Sequence, residues 1–227
     1  MKELQYINFP VSFLRKRDLK SVLEQALQFC SYETMVLNKY DKSYFNSLVE
    51  KLGLSEVDFE YDLYASSKRL YEENVKSIRC GVNIDVFRNY LRTSKDDLNI
   101  EFRAYCSTKA ILGKKVYKKT RFKEIFSLMF GYISIDDISP ESRLLLSKYE
   151  STRSMKRTLD KLEEKWHLSV YSLHSRGMYI SYKLSPVDLI VEVEKMKIIH
   201  KNRQRINEQR ANVIISDFIN ELDVSSA

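Results

Sequence analysis

The sequence predicts a mainly α protein: a helical N-terminal domain, a second domain of helices plus one β-hairpin, and a C-terminal helix. Three observations lead there. Glycine (5) and proline (3) are scarce among 227 residues, which leaves little material for the turns of an all-β chain. Apolar residues recur at helical spacing through most of the chain. Within 151–184 that spacing gives way to the two-residue alternation of a hairpin.

Residues 4–14 (LQYINFPVSFL) are apolar and Pro10 discourages a helix, so they read as a strand or an ordered arm. Asp18 caps a helix carrying Leu19, Val22, Leu23, Ala26, Leu27, Cys30 and Met35. A short helix over 42–52 has Tyr44, Phe45, Leu48, Val49 and Leu52 on its inner face. Residues 66–80 read as helix, and Asn83 caps another with Ile84, Phe87 and Leu91. Leu98, Phe102, Tyr105, Ile111 and Leu112 give a long helix ending at Gly113. Thr120 caps the next, with Phe122, Ile125, Leu128 and Met129 inward. Ile133 and Ile135 alternate within 132–138, as a short strand or a loop would. Gly53, Gly81, Gly113 and Gly131 each follow an amphipathic run, where a left-handed residue beyond the last helical turn is expected.

Ser139-Pro140 and Ser185-Pro186 each match an N-cap serine with proline at the first helical position. The first pair opens a helix through Leu144, Leu145 and Leu146. The second opens the final element, whose residues 200–212 are polar nearly all round before Val213, Ile214, Phe218 and Ile219 form a second apolar cluster. That tail either returns across the body or pairs with another copy. The breaks divide the chain into 1–93, a tyrosine-rich helical domain with no motif that carries chemistry; 94–184, where the patterns sharpen; and the tail 185–227.

Composition is ordinary for a soluble globular protein, with 44% hydrophobic and 30% charged residues. A formal net charge of +7 favours a polyanionic partner. Cys30, Cys80 and Cys106 are odd in number, widely spaced and set in segments read as helical, so buried free thiols in a reducing cytoplasm are expected. The opening MKELQYINFP lacks the apolar core of a signal peptide, and no run reaches the ~20 apolar residues of a membrane span. The expectation is a cytoplasmic protein with no membrane partner.

Chemistry concentrates in 151–184. Met155, Leu159, Leu162 and Trp166 form the inner stripe of a helix. Arg153, Arg157 and Lys161 lie opposite, flanked by Thr152, Ser154 and Lys156, and the basic and hydroxyl residues crowd the N-terminal half. In helix-turn-helix proteins that half meets base edges in the major groove, where the planar fork of arginine donates two hydrogen bonds to guanine. An ordinary solvated helix face is the plainer reading of such a charge run. Leu168, Val170, Met178, Ile180, Tyr182 and Leu184 then make the hairpin, with His174, Ser175 and Arg176 at its tip and Gly177 where a positive φ is needed. Upstream, GKKVYKKTRFK places Lys114, Lys115, Lys118, Lys119 and Arg121 where a neighbouring helix begins, suited to phosphate contacts that fix register without reading sequence.

The stretch LLLSKYESTRSMKRTLDKLEEKWHLSVYSLHSRGMYISYKL resembles a winged helix-turn-helix domain, most closely over 144–184. Leu159, Leu162 and Glu163 match the family's LxxLE element, and Arg176-Gly177 with Tyr179-Ile180 match the turn and return strand of a wing. Trp166 and His167 depart from the pattern, standing where a glycine usually ends the recognition helix. The resemblance implies double-stranded DNA as partner, recognition by residues around 152–161 and wing contacts at 174–176. The scanning helix would be either 121–130 or 140–149.

His167, His174 and His200 stand beside no carboxylate or cysteine at metal-ligand spacing, and there is no P-loop, dinucleotide fingerprint or nucleophile elbow. The reading is therefore a non-enzymatic DNA-binding protein without cofactor. A transcription regulator and a replication initiator of a plasmid- or phage-like element both fit. The rival is an assembly factor whose winged helix contacts protein. A second copy of the chain, paired through the N-terminal helices or the C-terminal helix, is the other candidate partner.

Overall fold

The computed structural model describes residues 6–37, 61–93, 98–173 and 177–224. The expected helix over 42–52 and the role given to Gly53 fall outside them. The described chain is mainly helical, with two small antiparallel sheets.

The N-terminal arm is a strand, β1 (Tyr6–Pro10). Ile7 and Phe9 turn inward from it. A single 3-10 turn, Val11–Arg15, buries Val11, Phe13 and Leu14 and leads to α1 (Leu19–Met35). Asp18 caps α1 by accepting Ser21 N–H at 2.7 Å, as its position predicts. A further described helix, α2 (Tyr61–Asn74), packs on α1.

Here the structure corrects the sequence reading. The helix expected to reach Cys80 ends at Asn74, and Arg79–Asn83 is a strand, β2, paired with β1 in the register Ile7↔Val82 and Phe9↔Cys80. Among the described residues, β2 takes its ladder partners from β1, far back along the chain, and that tertiary pairing overrides the local pattern. Cys80 is thus a buried strand residue, and Gly81 is not a helix cap. A Cβ at Gly81 would come within 2.7 Å of Asn8 Oδ1, so glycine there leaves room for that side-chain amide.

Asn83 starts α3 (Ile84–Thr93) by accepting Asp85 N–H at 2.8 Å. The centre of the molecule is α4 (Ile100–Leu112), against which β2 and several elements of the second half pack. It starts at Ile100, because Asn99 turns left-handed (φ 51°) just before it. Gly113 ends it, as expected, but at φ 53° and ψ −119°, a positive φ outside the left-handed helical region.

A second strand absent from the sequence reading follows. Tyr117–Thr120 is β3, and it pairs with β5 (Met178–Ser181), which pairs in turn with β4 (Ser169–Ser172). Thr120 therefore lies opposite Met178 and caps nothing; its Oγ1 donates to Glu124 Oε2 at 2.8 Å. Arg121 precedes α5 (Phe122–Met129) without a side-chain cap. Ile133 and Ile135 belong to a loop with one short 3-10 turn, in which Ser134 and Asp137 form a reciprocal capping box. Ile133 is 70% exposed, so its alternation with Ile135 does not make a strand.

Two consecutive helices, α6 (Pro140–Glu150) and α7 (Thr152–Trp166), are separated by Ser151 alone. The last element, α8 (Pro186–Val224), is one continuous helix that leaves the body and does not return. Its start is capped as predicted, Ser185 Oγ accepting Asp188 N–H at 3.2 Å. No helix among the described residues is long and apolar enough to cross a membrane.

One hydrophobic core runs from Ile7 to Ile180. Inside it the Arg103 guanidinium gathers main-chain carbonyls from three places. It donates to Leu14 and Leu98, to Met129 (3.3 Å), to Lys16 and to Arg17 (2.8 Å). The N-terminal arm, α4 and the end of α5 are thereby tied to one side chain.

Candidate nucleic-acid interface

The inner stripe of α7 is as the spacing predicts. Met155, Leu159 and Leu162 are buried, joined by Thr158, whose Oγ1 donates to Ser154 O at 3.1 Å. Trp166 anchors the C-terminal end: its Nε1 donates to Tyr90 Oη at 2.9 Å, and its ring packs on Tyr90 and Tyr105. Burial raises the Tyr90 phenol to about 12, keeping it neutral across physiological pH. At the N-terminal end Ser151 Oγ accepts Ser154 N–H at 3.2 Å, satisfying one of the free donors of the first turn.

The opposite face presents Thr152, Arg153, Lys156 and Arg157 to solvent within the first turn and a half. Among the described residues, Arg153, Lys156 and Arg157 make no side-chain hydrogen bond, ion pair or ring contact. Lys161 differs. It bonds Glu101 Oε1 at 2.8 Å while Lys165 takes Oε2 at 2.6 Å, so both lysines are committed to the start of α4. Partial burial would by itself raise the Glu101 carboxyl, but hydrogen bonds and charge from these two lysines outweigh it and leave its pKa lowered. Half-buried Ser154 lines, with Arg157 and Lys161, an open groove that continues to Tyr90, Thr93 and Tyr149.

The basic run is spread along β3 rather than gathered. Lys114 and Lys115 are exposed at the turn after α4. Lys118 lies opposite Ile180 and is half-buried; Lys119 lies opposite Tyr179 and is exposed. At ~3.3 Å per strand residue, Lys115 and Arg121 are on the order of 20 Å apart along the chain. Arg121 is the member nearest the hairpin turn. A Cβ on Gly177 (φ 92°) would stand 2.6 Å from Thr120 O and 3.4 Å from Arg121 Cγ. The glycine thus serves both the predicted positive φ and a close approach of β3. His174, Ser175 and Arg176 lie outside the described residues; on either side of them, Leu173 N–H donates to Gly177 O at 2.9 Å.

The sequence reading missed β3, Tyr90 and Glu101. A signal for the strand was present in the β-branched and aromatic residues of VYKKT, masked by its lysines. Nothing in the sequence pairs Glu101 or Tyr90 with residues so far along the chain. Among the described residues no cluster of three or more His, Cys, Asp or Glu could hold a metal ion. No family model, curated protein or solved structure matches the chain.

Proposed function

We propose that the chain is a sequence-specific double-stranded DNA-binding protein of the winged-helix kind, with α7 as recognition helix and β4–β5 as wing. The observation that carries this reading is the exposed N-terminal end of α7, where Arg153, Lys156 and Arg157 have no partner among the described residues. The other cations of the same helix, Lys161 and Lys165, are paired with a carboxylate. Three cations left free beside Thr152 on a rigidly seated helix suit base edges and phosphates. The sheet supports the same reading. The hairpin is not a loose ribbon, since β3 holds its second strand along the full length. Arg121 sits beside its turn, where a phosphate contact is useful.

In this mechanism Arg153 and Arg157 read bases, Thr152, Lys156 and Arg121 hold phosphates, and His174, Ser175 and Arg176 contact the adjacent backbone. Lys161 supports the helix through Glu101. Both α5 and α6 pack against α7, and either would serve as the scanning helix. Transcription regulation and replication initiation use such a unit equally well; the symmetry of the selected site separates them, a palindrome for a dimeric regulator and direct repeats for an initiator. The alternative, a non-enzymatic assembly factor using this unit to bind protein, draws on Leu144, which is 78% exposed on α6.

The test is selection of bound duplexes from a random pool, followed by salt titration of the winning site. The expected outcome is a defined site whose log affinity falls linearly with log salt, by about 0.9 per phosphate neutralised. Arg153→Ala and Arg157→Ala should each reduce discrimination by about 1–3 kcal/mol for every bidentate hydrogen-bond pair to a base that the substitution removes. Lys156→Ala with Arg121→Ala should weaken all sequences alike. Failure to bind any duplex at low salt would refute the proposal.

A further inference from the structure

The first turns of α8 belong to the body. Leu189 and Val193 are buried, and Tyr171 Oη donates to Glu194 Oε1 at 2.8 Å. Beyond Lys197 this changes: every residue over 198–215 is exposed, and the helix runs on to Val224. At 1.5 Å per residue the part beyond the body is about 40 Å long. A lone helix in water has little to hold it, because helical stability in proteins comes mainly from packing an apolar face.

Such a face is present. Ile199, Ile206 and Val213 recur every seven residues, a spacing that drifts only ~20° per step around a helix and so keeps them on one stripe. Ile206, Val213 and Ile214 form one exposed apolar surface of the helix, beside Gln209 and Arg210. The stripe faces away from the body, because Leu189 and Val193, which bind α8 to the sheet, fall on another side of the wheel.

Charge along the helix selects the occupant. Over 195–205 the sequence holds Lys195, Lys197, Lys201, Arg203 and Arg205 with no acidic residue. Over 216–223 it holds Asp217, Glu221 and Asp223 with no basic one. The intervening decade has one of each, Glu208 and Arg210. Two parallel copies would lay basic end on basic end and acidic on acidic. Two antiparallel copies lay basic on acidic at both ends, oppose their helix dipoles favourably and keep the apolar stripes together at the centre. We propose that the exposed part of α8 is the dimerisation element of this protein, pairing antiparallel with the same segment of a second copy. The proposal is independent of the DNA-binding reading.

Sedimentation equilibrium of the full chain without DNA tests it, so its outcome says nothing for or against duplex binding. A monomer–dimer equilibrium is expected. Ile206→Glu, at an exposed position that leaves the core untouched, should weaken it at least tenfold, and joint reversal of Asp217, Glu221 and Asp223 to lysine should weaken it comparably. Orientation is read by disulfide cross-linking of Asn202→Cys and Ser216→Cys chains, the native thiols being buried. Antiparallel pairing gives the mixed product in preference to either homotypic one. A chain monomeric at all concentrations, a dimer indifferent to Ile206→Glu, or dominant homotypic cross-links would each overturn the proposal.

Discussion

At the end of α7 the backbone of His167 is left-handed (φ 55°, ψ 40°), its N–H bonding Glu163 O while Leu168 N–H reaches back to Leu162 O. This is the hydrogen-bond pattern with which glycine commonly closes a helix. A histidine adopting it carries strain of roughly 1–2 kcal/mol that glycine avoids, against which glycine loses chain entropy of somewhat smaller size. His167→Gly should therefore raise unfolding free energy by up to about 1 kcal/mol in urea titrations, with no change in m-value. The sequence shows the departure at 166–167 plainly, but not the conformation. That depends on Trp166 being pinned to Tyr90, a partner 76 residues away. Local pattern reports which residue stands at a helix end; only the tertiary anchor decides what its backbone must do.

At the scale of elements, the joint between α4 and α7 is the one most open to measurement. Glu101 holds Lys161 and Lys165 across it, and its carboxyl is lowered relative to the unfolded chain. A carboxyl lowered on folding adds stability above its unfolded pKa, and that contribution fades as pH falls through the folded value. Glu101→Gln should thus destabilise at neutral pH by no more than about 1 kcal/mol, since the lysines are half-exposed and screened. The two unfolding curves should converge in acid, below the ordinary carboxylate range. A difference that persists there would point to packing rather than charge. Helices such as α1, α3, α5 and α7 were legible because each contains its own evidence: a capping side chain or a repeating apolar face. The strands β2 and β3 were not, being short and defined by partners far along the chain. The missed β3 matters most for the site, because it spreads a basic run that looks like one patch into separate positions on two faces.

For the whole molecule, the Arg103 side chain is the clearest single point of integration. Carbonyls from the N-terminal arm, the approach to α4 and the end of α5 all accept from it. Hydrogen bonds to a charged donor contribute ~1.5–3 kcal/mol each, and buried acceptors left without a donor are costly. Arg103→Met should cost on the order of 3–5 kcal/mol, and calorimetry should show the arm, α4 and α5 melting together at a lower temperature in one transition. A separate early transition of the arm would show instead that the hook is dispensable for the rest.

The same hook sets a clock on biosynthesis. The carbonyl of Arg17 leaves the ribosome 86 residues before the guanidinium that will cover it, and Met129 follows later still. At ~5–20 residues per second that interval is on the order of ten seconds. For most of it β1 has no partner strand, although Phe13 already has Phe29 of α1 to pack against. The arm is thus made early and secured late, and its unpaired strand edge is open to wrong pairing in the interval.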